Sequence, residues 1–306
     1  MKVLVTGVDG QLGHDTLNEL CRRGIQCVGG HKTTRYLDSL DANEPPLVTH
    51  VTMDVSDRLQ VEHVMDQVQP DAVIHCAAWT AVDLAEDEDK REQVRRVNVD
   101  GTRDLALACR RLGCKMMYIS TDYVFDGQGE TPWTPDCQDF APLNVYGQSK
   151  LDGERQVEKL VEKFFIVRTA WVYGRNGKNF ISTMLRLAQT HDSVRVVNDQ
   201  IGTPTYTYDL AHLLVDMICT EKYGYYHATN EGGYISWYDL ACEVFHQAGL
   251  DTKVIPITSA EYGASKARRP FNSRLDKSKL VENGFDLLPD WRDALGRYLA
   301  ELRAHS

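Results

Sequence analysis

The sequence is short of positive charge. Its 306 residues hold 34 Lys and Arg against 44 Asp and Glu, a formal net charge of −10. That balance excludes a broad nucleic-acid or anionic-membrane footprint, which needs clustered cations, and leaves any anionic ligand to a local basic pocket. Long hydrophobic runs are also missing: no stretch approaches the roughly 20 apolar residues of a membrane span. The chain opens directly on the strand-like Met1 to Val5, with no room for a signal peptide. The eight cysteines form no C-x-x-C pair, and several stand in apolar runs where a thiol behaves as a small hydrophobe, the pattern of a reducing compartment. Repeats, low-complexity tracts and flexible linkers are absent too. The expectation is a soluble, cytoplasmic protein with neither nucleic-acid nor membrane partners.

What is present is an alternation of short apolar runs with helix-like segments. Val3 to Val5, Gln26 to Val28, Val48 to Thr52, Ala72 to Cys76, Met116 to Ser120 and Phe164 to Thr169 read as strands. Such runs, separated by helical patterns, imply right-handed crossovers and an α/β fold with a doubly wound parallel sheet. Glu92 to Leu112 reads as one crossover helix, bent near Gly101. After about residue 170 the rhythm loosens into turn signals such as Gly202-Thr203-Pro204 and Gly232-Gly233. We expect a dinucleotide-binding domain over 1–170 and, over 171–306, a smaller substrate lobe interwoven with it.

Gly7, Gly10 and Gly13 follow the first strand and open a helix, the context in which glycines cradle a dinucleotide pyrophosphate. The backbone amides of Gln11 and Leu12 face the phosphates in that arrangement. An acid at the end of the second strand would bind the adenosine ribose, but here Gly29-Gly30-His31-Lys32 follows Val28, with Arg35 close by. A cation there favours a 2′-phosphate, hence NADPH with NADH as the alternative; a solvated loop is the competing reading. Asp54 is a candidate for the adenine amino group or a plain turn residue, and Val55 follows it.

Asn144 to Glu162 reads as helical, so Tyr146 and Lys150, four residues apart, share a face. A neighbouring ammonium draws a phenol down from its usual value near 10, which makes Tyr146 a proton donor to a carbonyl receiving hydride. Thr121, at the end of the strand through Ser120, offers a hydroxyl to the same carbonyl, and Asp122 a substrate contact; both can equally cap the strand exit. Asn98 is placed to anchor a water relaying protons to Lys150.

These residues resemble the extended short-chain dehydrogenases and, within them, the dTDP-4-dehydrorhamnose reductases. The likeness runs through Val5-Thr6-Gly7, His75 to Asp83, Ser120 to Gly127, Pro142 to Lys150, Arg168 to Gly174, Asn198 to Thr205 and Arg269 to Leu275. It implies Tyr146 as proton donor with Lys150 and Thr121 as its partners, and Ala78, Trp79 and Thr80 lining the cofactor. It further implies Val82, Thr121, Asp122 and Trp171 against a dTDP-sugar, with Arg268, Arg269 and Arg274 as candidates for its diphosphate. Trp171 as core filler is the alternative. Some relatives bind Mg²⁺ at a dimer interface through acids; Asp15 could serve here, but the second position reads Tyr208, so no metal is expected. The implied activity is NAD(P)H-dependent reduction of a 4-keto sugar by a monomer or homodimer. Another nucleotide-sugar 4-ketoreductase or epimerase would keep the same residues, and a regulatory subunit like methionine adenosyltransferase β would share the fold.

If Lys32 and Arg35 hold a 2′-phosphate, replacing both with alanine weakens NADPH binding by about 1–3 kcal/mol and leaves NADH nearly untouched. Titrating each cofactor separately checks this, and equal effects identify a solvated loop.

Overall fold

The computed structural model describes residues 1–35, 47–263 and 265–304. Its centre is a sheet of seven parallel strands: β1 (Lys2–Thr6), β2 (Gln26–His31), β3 (Val48–Thr52), β4 (Ala72–His75), β5 (Lys115–Thr121), β6 (Phe164–Thr169) and, after four short strands, β11 (Gly224–His227). The short strands are β7 (Val172–Tyr173), β8 (Ser193–Val197), β9 (Ile201–Gly202) and β10 (Thr205–Tyr206). The spatial order is β3-β2-β1-β4-β5-β6-β11. It reverses direction between β1 and β4, where doubly wound sheets open a crevice.

Alternate side chains of each strand feed opposite faces, as pleating requires. Val3, Val5, Ile74, Met117 and Val167 pack with Leu17 and Leu20 of α1 (Gln11–Arg22), while Leu4, Val73, Met116 and Ile166 face Val61 and Met65 of α2 (Arg58–Val68). With both faces covered, the strands are apolar throughout rather than alternating. On the second face, α3 (Glu88–Arg95) passes through a π-helical turn, Arg96–Gly101, into α4 (Thr102–Leu112). The bend expected at Gly101 is this turn, and Gly101 is required there because a Cβ would overlap the Val55 carbonyl. The helix α5 (Val145–Leu160) packs on α4 and β5.

The six strands read from the sequence are all present, and two details differ. The second does not stop at Val28: Gly29 and Gly30 continue it to His31. They lie in the strand because other chain packs on them, with Leu17 against Gly29 and the Gly7 amide donating to the Gly30 carbonyl at 3.1 Å. The seventh strand, β11, comes from the C-terminal half, and α7 (Thr207–Ile218) returns with it to cover α1. The rest of that half forms its own core, in which Ile181 of α6 (Phe180–Ala188), Leu240 and Val244 of α8 (Trp237–Ala248), and Trp291 and Leu295 of the C-terminal helix Trp291–Ala304 surround Tyr173, Val194 and Tyr206. No helix among the described residues is long and apolar enough to cross a membrane.

Candidate active site

Two glycines shape the turn after β1. Gly7 sits at φ +70, and a Cβ there would stand 2.7 Å from the Ala77 backbone; a Cβ on Gly13 would overlap the Gly7 carbonyl. α1 therefore starts tight against β1, with Gly10 as its N-cap and no side chain capping it. Its first-turn amides, Gln11 to Gly13, are left for an anion. The Gln11 side chain has a second task that sequence spacing did not reveal. Its Oε1 accepts from the Gly174 amide at 2.7 Å and from Asn179 Nδ2 at 3.0 Å, fastening the segment before α6 over the turn.

At the end of β2, His31 is sandwiched: Nδ1 lies 2.7 Å from Asp9 Oδ1 and Nε2 2.7 Å from His50 Nδ1. Lys32 and Asp54, assigned from sequence to different parts of the cofactor, face each other, with Nζ 3.7 Å from Oδ2. The other Asp54 oxygen accepts from the Ser56 amide and hydroxyl, so Asp54 also serves its own turn. Arg35 is exposed and Val55 is buried.

Ala78, Trp79 and Thr80 form the segment after β4, and Asn98 holds it. Asn98, fully buried on the π-helical turn, accepts from the Trp79 amide at 2.8 Å and donates from Nδ2 to the Trp79 carbonyl (3.2 Å) and the Ser149 hydroxyl (2.9 Å). Its carboxamide is thus committed at both ends. That makes it a brace between the segment after β4 and α5.

Asn144 caps α5, accepting from the Gly147 amide at 2.8 Å, and a Cβ on Gly147 would overlap the Tyr123 carbonyl. The absence of that Cβ lets the first turn of α5 lie against the exit of β5. Tyr146 there meets the Thr121 hydroxyl and sets its ring edge-on to Tyr123, centroids 5.7 Å apart. Thr121 also donates to Asp122 Oδ1 at 3.0 Å and accepts from the Tyr123 amide, so it does cap the strand exit while facing Tyr146. Asp122 is fully buried with its second oxygen free of hydrogen bonds. Burial pushes its carboxyl up to about 6, against the pull of the Ser273 and Thr121 hydroxyls.

Lys150 is buried, and its Nζ rests 4.0 Å from the centre of the Tyr118 ring. Burial lowers its ammonium to about 7, with Glu154 opposing. The Tyr146 phenol is not drawn down as the spacing suggested: burial raises it, the Asp122 charge adds to the rise, and only the Thr121 hydrogen bond opposes. Desolvation is the largest cause, and it disfavours the charged phenolate whatever the sequence spacing.

Beyond this centre, Val82 is half-buried in the turn that carries Asp83. Arg269, assigned from sequence to a diphosphate, pairs with Asp83 through both terminal nitrogens, at 2.8 and 3.2 Å. That pair holds the Asp83 carboxyl below its usual range. Arg274 Nη1 donates to Asn272 Oδ1 at 3.1 Å, and the Arg268 carbonyl accepts from Asn144. Trp171 adopts φ +50, which a bulky residue holds only under constraint.

A cavity surrounds Asp15. It measures about 150 Å³ and is lined by His14, Arg22, Arg175, Tyr208 and Glu301 among others. Asp15 is hydrogen-bonded by the Thr207 hydroxyl, and among the described residues no group of three acids, histidines or cysteines could hold an ion. Two arginines in the lining make the donor set a poor fit to Mg²⁺. A larger hollow, about 430 Å³ between α3 and α5, includes neither Tyr146 nor Lys150 and lies outside the crevice.

A doubly wound sheet with a glycine turn at its switch point and a threonine, tyrosine and lysine at the next strand exit defines a nicotinamide-dependent oxidoreductase of the short-chain dehydrogenase type. Comparison with known proteins narrows the class. The model of the RmlD substrate binding domain matches residues 1–304, and the chain belongs to that family. It is 41% identical to a dTDP-4-dehydrorhamnose reductase of Streptomyces griseus, covering 95% of this chain and 91% of that protein. It is 36% identical to a dTDP-4-keto-6-deoxy-D-glucose reductase of Streptomyces niveus, covering 98% and 97%. A crystal structure of dTDP-4-dehydrorhamnose reductase from Bacillus anthracis in complex with NADP superimposes with TM-score 0.84 at 36% identity, covering 98% and 99%.

Because Lys150 titrates near 7 when folded and near 10.5 when unfolded, only the unfolded chain is protonated between those values. Lys150 therefore lowers stability most at and below pH 7, and the penalty fades as pH rises toward 10.5. Denaturant unfolding of the parent and of Lys150→Met across pH 6.5–10 (roughly the span between these values) should show the variant's relative advantage shrinking with pH; a constant difference contradicts the buried-amine assignment.

Proposed function

We propose that this chain reduces the 4-keto group of a dTDP-linked 6-deoxy sugar, converting dTDP-4-dehydro-L-rhamnose to dTDP-L-rhamnose with NADPH, and with NADH as a second donor. The carrying observation is the convergence of Thr121, Asp122 and Tyr146 at the exit of β5, within one crevice with the Gly7 turn. Relatives at 36–41% identity named as dTDP-4-keto sugar reductases support it.

The uncapped start of α1 and the close-packed Gly7 and Gly13 suit a pyrophosphate, with Asp54, Val55, Lys32 and Ala78 to Thr80 along the adenosine and nicotinamide halves. The cofactor, when bound, supplies the hydride. Thr121 and Tyr146 orient the sugar C4 carbonyl between their hydroxyls and polarise it. As C4 accepts the hydride and its C–O π pair moves to oxygen, Tyr146 passes its proton to that oxygen. A phenol raised by burial is fully protonated at neutral pH, the state that a proton donor needs. Lys150, one turn below, returns a proton to the tyrosine and holds the nicotinamide ribose. Val82, Asp122 and Trp171 contact the sugar, while Arg269 and Arg274 edge its diphosphate. The eight free cysteines accord with a cytoplasmic enzyme.

Tyr146→Phe should cut turnover about 10²–10⁴-fold with NADPH affinity unchanged; turnover within a few-fold of the parent sinks the assignment. Trp171→Ala should raise KM for dTDP-4-dehydrorhamnose while the Kd for NADPH stays put. A core role for Trp171 predicts instead a loss of about 3–5 kcal/mol in stability and damage to both ligands together.

A further inference from the structure

Trp171 would be a poor pocket wall if its indole were free to turn. Its backbone is held first. Thr205 donates its amide to the Trp171 carbonyl at 3.2 Å and its hydroxyl to the Ala170 carbonyl at 2.7 Å, and accepts from the Thr169 hydroxyl at 3.2 Å. These bonds fix three consecutive residues through the left-handed φ of Trp171.

The ring is then gripped by α8. Trp237, the first residue of α8, stacks on Trp171 with centroids 3.8 Å apart and planes 17° from parallel. That spacing leaves no room for a ligand between them, so Trp237 occupies one indole face completely. Phe180 backs Trp237, centroids 4.6 Å apart. Ser236 fixes the start of α8, exchanging hydrogen bonds with Asp239 in a capping box.

Gly202 borders the six-membered ring of Trp171. A Cβ there would stand 3.0 Å from the ring and 3.0 Å from Ser273 Cβ. Ser273 in turn is a neighbour of Asp122 and donates its amide to the Ile201 carbonyl at 2.8 Å. The indole, Gly202, Ser273 and Asp122 are thus consecutive layers leading to the reacting centre.

We propose that Trp237 and Gly202 are positioning residues for the sugar site: Trp237 by stacking, and Gly202 by lacking a side chain, set the plane of Trp171 against the sugar. This rests on Trp171 being a wall of that site. Neither residue touches the reacting atoms, so each acts on sugar binding through the indole alone.

Three variants test this: Trp237→Ala, Trp237→Phe and Gly202→Ala, with Trp171→Ala as reference. The readouts are kcat and KM for dTDP-4-dehydrorhamnose, Kd for NADPH, thermal midpoint, and the near-ultraviolet circular dichroism of the stacked indoles, whose coupled transitions give a paired band. An aromatic pair of this kind sets the expected scale. Trp237→Ala should raise the sugar KM about two- to ten-fold without changing the NADPH Kd, and should abolish the paired band. Trp237→Phe should recover most of the KM while still lacking the band. Gly202→Ala should raise KM and alter the band, since a methyl there displaces the ring. The proposal is overturned if KM is unchanged in Trp237→Ala and Gly202→Ala while Trp171→Ala raises it. It is also overturned if KM, NADPH Kd and thermal midpoint all worsen together in Trp237→Phe, the signature of a merely structural residue. If Trp171→Ala itself leaves the sugar KM unchanged, the wall assignment falls first and takes the positioning role with it.

Discussion

One buried carboxamide ties two elements of the crevice together. Asn98 joins the Trp79 backbone to the Ser149 hydroxyl, and Ser149 lies on the catalytic helix beside Lys150. The segment after β4 and the helix α5 after β5 are thereby held in register by one side chain. The π-helical turn is what points it inward, and Gly101 is what lets that turn press against Val55. Such local departures from regular helix often accompany functional sites because they re-aim a single residue.

The electrostatics of the centre accord with the proposed proton transfer. Tyr146 is kept protonated by burial and by Asp122, while Lys150 gains and loses its proton near neutrality. On the proposed reading, a donor that holds its proton until an alkoxide develops suits the reduction of a ketone. The buried bidentate pair of Arg168 and Glu154, at 2.8 and 2.9 Å, anchors α5 to β6, and so the helix carrying both groups has a fixed base.

What was legible in the sequence was what depends on short spacing. Strand runs, the glycine turn and the four-residue step from Tyr146 to Lys150 are local patterns, and the structure shows the six strands, the turn after β1 and both residues on one helix. The contacts that complete the site are remote in sequence: Gln11 with Gly174 across 163 positions, and Arg269 with Asp83 across 186. No periodicity encodes such pairings, so Arg269 looked like a free cation and Gln11 like a mere backbone donor. The fall of the lysine charge was hidden for a related reason, since burial is a property of the assembled packing. Strand β11 escaped notice because four residues rich in tyrosine and histidine carry no distinct apolar signal.

That late strand bears on how the chain must be made. β11 pairs with β6 along its whole length, from Gly224 opposite Phe165 to His227 opposite Arg168, and α7 arrives with it to cover α1. During synthesis the first 170 residues emerge with β6 as an unpaired, strongly apolar border, open to strands of other chains until more than fifty further residues (from the end of β6 to the start of β11) have followed. The first 170 residues are therefore not a sheet complete in themselves. The stretch that closes the sheet ties both halves of the chain to a common fate in folding.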